Sequence, residues 1–157
     1  MGFTLFGDEP LKLCVCAPDY GYFGHELAAL LSGHKIECEF ADPDFLVLML
    51  TPAITQPDLQ RLVKILTSLP RRAPILAAPP TISRPEAVLS IREAQLSPCE
   101  TIPVSESEGR ILAAASVGCP PAVPILVCGE RVDKNAIACF RYYGIESCCV
   151  VKTGGNL

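Results

Sequence analysis

Ser32-Gly33-His34-Lys35 gathers a hydroxyl, an imidazole and a primary amine within four residues. A lysine amine in such company can condense with a carbonyl group to a Schiff base, given neighbours that activate it and hold its partner. The same residues have a plainer reading. They fall between an amphipathic helix and a strand. Gly33 suits a helix C-cap, and His34 and Lys35 complement the negative end of the helix dipole.

Other side chains could do chemistry. Glu130 follows Gly129 in a turn, where a carboxylate either lines the route of a cationic substrate or is a surface charge just before a helix start at Asp133. Arg110 lies between Gly109 and Ile111; an arginine in that apolar setting fits a bidentate pair with a carboxylate, Glu93 or Glu130, tying elements together. Ser90, Arg92 and Glu93 read as a helix start and a salt bridge. Tyr20 and Tyr22, beside Gly21 and Gly24, either pack a loop or face a cleft. His25 reads as a partly exposed polar residue of the first helix. No serine–histidine–aspartate or cysteine–histidine pairing emerges.

The nine cysteines are odd in number and irregularly spaced, with no Cys-x-x-Cys. That argues against a disulfide framework. Two histidines give little support to a zinc site. The cysteines read as small buried hydrophobes in a reducing cytoplasm, with a metal or redox role as the alternative. Cys14 and Cys16 share one side of a strand; Cys148 and Cys149 face opposite sides.

The 157 residues suffice for one ordinary domain or two small ones, and half of them are hydrophobic. A net charge of −4 with thinly spread basic residues leaves no footprint for nucleic acid. Arg71-Arg72 is the only basic doublet and reads as a solvated loop. No apolar run approaches the roughly 20 residues that cross a bilayer. The N-terminus carries no basic region typical of a signal peptide, and Gly2 has no hydroxyl residue at position 6 for myristoylation.

The order predicted for the first half is β-α-β-β-α: a strand over 11–17, a helix over 26–31 with Leu27, Leu30 and Leu31 as its stripe, strands over 36–40 and 45–50, and a helix from Thr55 to Pro70 buried along Leu59, Leu62, Val63 and Leu66. Five prolines between Pro70 and Pro85 exclude a helix or central strand and predict an ordered, extended connector. The second half opens on two capping boxes, Ser90-x-x-Glu93 and Ser105-x-x-Glu108. A strand over 111–117, a rigid stretch over 119–124, a strand over 125–128, a helix capped by Asp133 and stopped by Gly144, a strand over 145–151 and a frayed tail follow. The fold class is α/β (α+β): two small sandwich-like subdomains of sheet plus helices, joined by the proline-rich connector.

Three stretches carry a family resemblance: LSIREAQL (89–96), SEGRILAAASVGCPPAVPILVCGE (107–130) and AIACFRYYGIE (136–146). In this order and at these separations they resemble the carboxyl-terminal domain of the bacterial ornithine/lysine/arginine decarboxylases, pyridoxal-phosphate enzymes of fold type I. LKLCVCAPDYGYFGHELAALL (11–31) and IECEFADPDFLVLMLT (36–51) resemble, more loosely, the small domain of the same enzymes. The resemblance implies a small domain over 1–70 and a C-terminal domain over 71–157. Two positions depart from it: Ile91 stands where the family has proline, and Cys119 where it has an aromatic residue before the double proline.

The resemblance also implies that pyridoxal phosphate belongs to the parent enzyme and to a large domain outside this chain, with which the chain is a partner. Ser-x-His-Lys is how such enzymes present their Schiff-base lysine. Yet the chain has no aspartate–x–alanine–histidine element for the pyridine nitrogen and no glycine-rich turn for the phosphate. Lys35 is therefore expected to hold no cofactor, and the chain alone to be inert. Glu130, Arg110, Tyr20, Tyr22, Arg92 and Glu93 are its candidates for substrate entry or a domain interface, and a homodimer is a further expectation. The competing expectation is a stand-alone, non-catalytic α/β module that binds a protein partner or small effector.

Overall fold

The computed structural model describes residues 2–82, 84–114 and 124–153. They form two compact units, Met1–Ala78 and Pro79–Leu157.

The first unit is a four-stranded antiparallel sheet of order β1-β2-β4-β3, built from β1 (Thr4–Phe6), β2 (Lys12–Cys16), β3 (Phe40–Ala41) and β4 (Phe45–Met49). Val15 stands opposite Leu46 and Leu13 opposite Leu48. That alternation sends these residues to one face, where they meet Leu27 and Leu31 of α1 (Gly24–Gly33) and Leu62 of α2 (Gln56–Ser68) in a single core. Both helices thus cover the same side of the sheet. The α2 start is held by Asp58, whose carboxylate accepts from the N–H and hydroxyl of Thr55.

Several expectations need correcting here. The edge strand β1 was not anticipated, and the strand expected over 36–40 shrinks to Phe40–Ala41. On α2 the buried stripe runs through Leu62, Ile65, Leu66 and Leu69, while Val63 is 58% exposed. Successive steps of three and four residues from Leu62 reach Ile65, Leu66 and Leu69; Val63 lies a full 100° off that line. Leu30 is similarly turned outward, with Ala28 packed in its place.

The second unit has a two-stranded ladder, β5 (Cys99–Pro103) against β6 (Ser147–Val151), with α3 (Ile91–Leu96) and α4 (Lys134–Tyr142). Ser90 and Glu93 form the expected reciprocal cap, and Asp133 accepts from the Ala136 N–H at 2.7 Å. Phe140, Leu112, Val132 and Val150 centre its core.

The second capping box does not form a helix. Val104–Glu106 makes one 3₁₀ turn, because Ser107, fully buried, donates its hydroxyl to the Val104 carbonyl and Gly109 then turns the chain at φ 78°. The strand expected from residue 111 is, among the described residues, a pair of bridges. Leu112 joins Val150 and Ile111 joins Arg131, so this segment lies between β6 and the 129–132 stretch. Residues 125–128 bend and turn rather than extend. Cys119, the rest of the rigid stretch up to Val123, the remainder of the strand to Val117 and the tail from Gly154 lie outside the described residues.

The proline-rich stretch divides between the units. Arg72 N–H donates to the Tyr20 carbonyl and Ile75 N–H to that of Pro18, binding its start to the first unit. Its later part and the residues that follow it bind the second: Asn135 donates to the Thr81 carbonyl, Arg131 pairs with Glu86, and the Val88 and Leu89 N–H groups donate to the Gly129 carbonyl.

Candidate functional site

Lys35 has φ 59°, the one positive value among the described non-glycine residues. Its own N–H donates to the Ser32 carbonyl at 2.8 Å, and the Ile36 N–H to the Leu31 carbonyl at 3.0 Å. These two bonds are a Schellman closure, with Lys35 in the left-handed position that glycine usually takes. Ile36 packs toward the core that holds Leu31, the apolar contact expected with such a closure. The helix runs through Gly33, so the stop falls two residues later than that glycine suggests.

The cavity beside Lys35, about 220 Å³, is lined also by Ile36, Glu37, Met49, Asp58, Leu59 and Arg61, among others. It holds no aromatic ring, hydroxyl or glycine backbone to cradle a phosphorylated ring, and Asp58 is engaged by Thr55. These residues do not fit pyridoxal phosphate. Lys35→Gly is expected to stabilise the chain by about 0.5–1 kcal/mol, since glycine removes the left-handed strain but loses more entropy on folding. The urea midpoint measures it; a fall would show that the lysine side chain itself holds the turn.

Tyr20 and Tyr22 are buried in the first unit, Tyr22 to 1% exposure. The Tyr22 hydroxyl donates to the Pro70 carbonyl at 2.8 Å, and the Arg72 guanidinium lies 3.9 Å from its ring centre. Arg71 stands over Tyr20 at 5.5 Å. The basic doublet is therefore a strap on two aromatic rings, and Arg72 also pairs with Glu26 at 3.4 Å. The Phe23 N–H, more than that arginine, holds the Glu26 carboxyl below its usual range. His25 is exposed and stacks on Phe23.

In the second unit Arg110 finds neither Glu93 nor Glu130. One guanidinium nitrogen donates to Glu100 at 2.6 Å and to the Val151 carbonyl at 2.8 Å, spanning β5 and β6. Glu93 serves the Ser90 cap instead, and its hydrogen bonds from the Ser90 hydroxyl and N–H lower its pKa. Glu130 accepts from the Val127 N–H at 2.8 Å and shapes its own turn. Arg92 is exposed on α3. The candidates thus act as local supports within each unit.

One feature escaped sequence reasoning. On the sheet face opposite the helices, Cys14 stands against Val47 and Phe6, and Cys16 against Phe45, with Phe40 and Met49 alongside. Phe6 is 67% and Met49 47% exposed. Neither helix of the unit packs on this apolar face. The signal was present in Phe45-Leu46-Val47-Leu48-Met49: a strand with one wet face alternates, and this one does not. Among the described residues no group of three or more histidines, cysteines or carboxylates is suited to a metal, and no helix is long and apolar enough to cross a membrane.

Comparison with known proteins places the second unit. Residues 79–148 match the family model of the Orn/Lys/Arg decarboxylase C-terminal domain. The arginine decarboxylases of Halalkalibacterium halodurans and Bacillus subtilis are 28% and 29% identical over 142 and 137 residues, which are 85% and 83% of this chain. The chain spans 28% of the length of each. Among solved structures, the Francisella novicida lysine decarboxylase aligns over 95% of this chain and 32% of its own, with a TM-score of 0.67 at 16% identity. The constitutive lysine decarboxylase of E. coli aligns over 92% of this chain and 32% of its own, with a TM-score of 0.61 at 16% identity. At those identities the structural likeness concerns the fold.

Proposed function

We propose that this chain, whose C-terminal region matches the Orn/Lys/Arg decarboxylase family, is the carboxyl-terminal portion of a pyridoxal-phosphate-dependent basic amino-acid decarboxylase. In this reading the cofactor-binding part lies in a further domain of the parent protein and the chain alone is inert. The match of residues 79–148 carries the reading. The span of under a third of the relatives' length supports it, as does the apolar sheet face of the first unit, which offers a seat for another domain. The substrate is taken as a class, lysine, ornithine or arginine, because the curated relatives are arginine decarboxylases and the aligned structures are lysine decarboxylases. A reducing cytoplasmic setting belongs to the same reading, supported by the nine irregularly spaced cysteines.

The test uses the purified 157-residue chain. With pyridoxal phosphate and lysine, ornithine or arginine it is expected to release no carbon dioxide, and borohydride is expected to fix no cofactor on Lys35. A stoichiometric adduct at Lys35, or turnover by the chain alone, overturns the reading. The complementary observation is whether the reading frame upstream of Met1 encodes a cofactor domain.

A further inference from the structure

Cys99 opens β5 and Cys149 sits at the middle of β6. In the ladder Cys99 stands opposite Val151, and Thr101 opposite Cys149. Cys99 and Cys149 are therefore diagonal neighbours on one face, two residues apart in register. It is the outer face: Cys148 and Val150, the alternate residues of β6, are buried in the core, whereas Cys99 is exposed and Cys149 half-buried. Diagonal neighbours in a ladder lie about 7–8 Å apart by Cα, just beyond the usual span of a disulfide, so closing the bond requires the two strands to shift slightly toward each other. The Cys99 thiol is close enough to that of Cys149 to raise its pKa.

We propose that Cys99 and Cys149 are an oxidation site, a dithiol that a low-molecular-weight disulfide converts into a cross-strand disulfide. Exposure sets the order of events. The Cys99 thiolate attacks one sulfur of the small disulfide, forming a mixed disulfide and expelling a thiolate that takes up the proton Cys99 released. The Cys149 sulfur then attacks the Cys99 sulfur, the new bond closes, and a second small thiolate leaves and is protonated. Two protein thiols are oxidised by two electrons in total, and one small disulfide is reduced to two thiols.

The surroundings of Cys149 favour this order. Burial, and after it the neighbouring Cys99 thiol, pushes the Cys149 pKa up, so Cys149 is a poor first nucleophile. Capping Cys99 as a mixed disulfide takes away the part owed to Cys99, and Cys149 ionises more readily at the moment it must attack. The oxidised form pins the first strand of the second unit to its last. This inference does not depend on the decarboxylase reading, because it concerns only one ladder of this chain.

The experiment incubates the folded chain with oxidised glutathione, alkylates the remaining thiols, and maps the peptides without reduction. The expected product is one cross-linked pair, 93–110 joined to 142–152, lighter by two hydrogen atoms and released by dithiothreitol. Fragmentation between Cys148 and Cys149 should place the bond on Cys149. Cys149→Ser should stop at glutathione on Cys99, and Cys128→Ser should leave the cross-link intact. The oxidised chain should also unfold at a higher urea concentration than the reduced one. Glutathione persisting on Cys99 of the unmodified sequence while Cys149 stays alkylatable overturns the proposal. So does a cross-link that survives Cys149→Ser.

Discussion

Gly129→Ala is expected to destabilise the second unit by about 2–5 kcal/mol, a large share of the stability a domain usually has. Two costs add. Gly129 has φ 89°, where a side chain strains the backbone. A Cβ there would also stand 2.1 Å from the Leu89 carbonyl oxygen and 2.9 Å from its carbon. Both are backbone atoms, so no side-chain rotation relieves the overlap. The neighbouring bonds hold the approach in place: the Val88 and Leu89 N–H groups donate to the Gly129 carbonyl, and the Gly129 N–H donates to Leu112. Gly144→Ala is the control. It has φ 71° but nothing within 4 Å of the added carbon, so only the strain of about 1–2 kcal/mol applies. Urea unfolding of both variants separates the two costs. Equal losses would show that the segment before α3 moves freely away from the 129 turn.

That close approach also explains why separate sequence motifs go together. Leu89 begins the LSIREAQL stretch, and Gly129-Glu130 ends the following long one. The two meet backbone to backbone, next to the Ser90 cap. Gly129 allows the contact, and Glu130 fixes the turn that delivers it by accepting from Val127. These residues are read most directly as architecture of the second unit.

What could be seen in the sequence follows the range of each interaction. The Ser90–Glu93 and Asp133 caps and the Gly144 stop, at φ 71°, act within a few residues, so residue type and spacing reveal them. Ser105–Glu108 has the same spelling and fails, because Ser107 is drawn into the core and Gly109 turns the chain before a helix can extend. The Arg110 partner was mistaken for a different reason. Glu100 reaches Arg110 only through the β5–β6 ladder, whose register is set by contacts some fifty positions apart. Lys35 was hidden by its own letter. A left-handed position usually announces itself with glycine, and here the glycine two places earlier stays helical.

Tyr22 carries the second large effect, and its two natural substitutions differ in kind. Tyr22→Ala empties a site 1% exposed, beneath the proline-rich strap, and is expected to cost about 3–5 kcal/mol, as truncation of large buried aromatic residues does. Tyr22→Phe keeps the ring, and with it the packing under the Arg72 guanidinium, and removes only the bond to the Pro70 carbonyl. Pro70 is itself exposed, so water can take over that acceptor, and the expected loss is about 0.5–1.5 kcal/mol. Thermal and urea unfolding give the two values; near-ultraviolet circular dichroism reports whether the remaining aromatic rings stay fixed. The pattern tests what the tyrosine does. A residue that clamps residues 70–75 onto the first unit should lose stability in proportion to the atoms removed. A residue held free to meet a substrate should tolerate alanine nearly as well as phenylalanine.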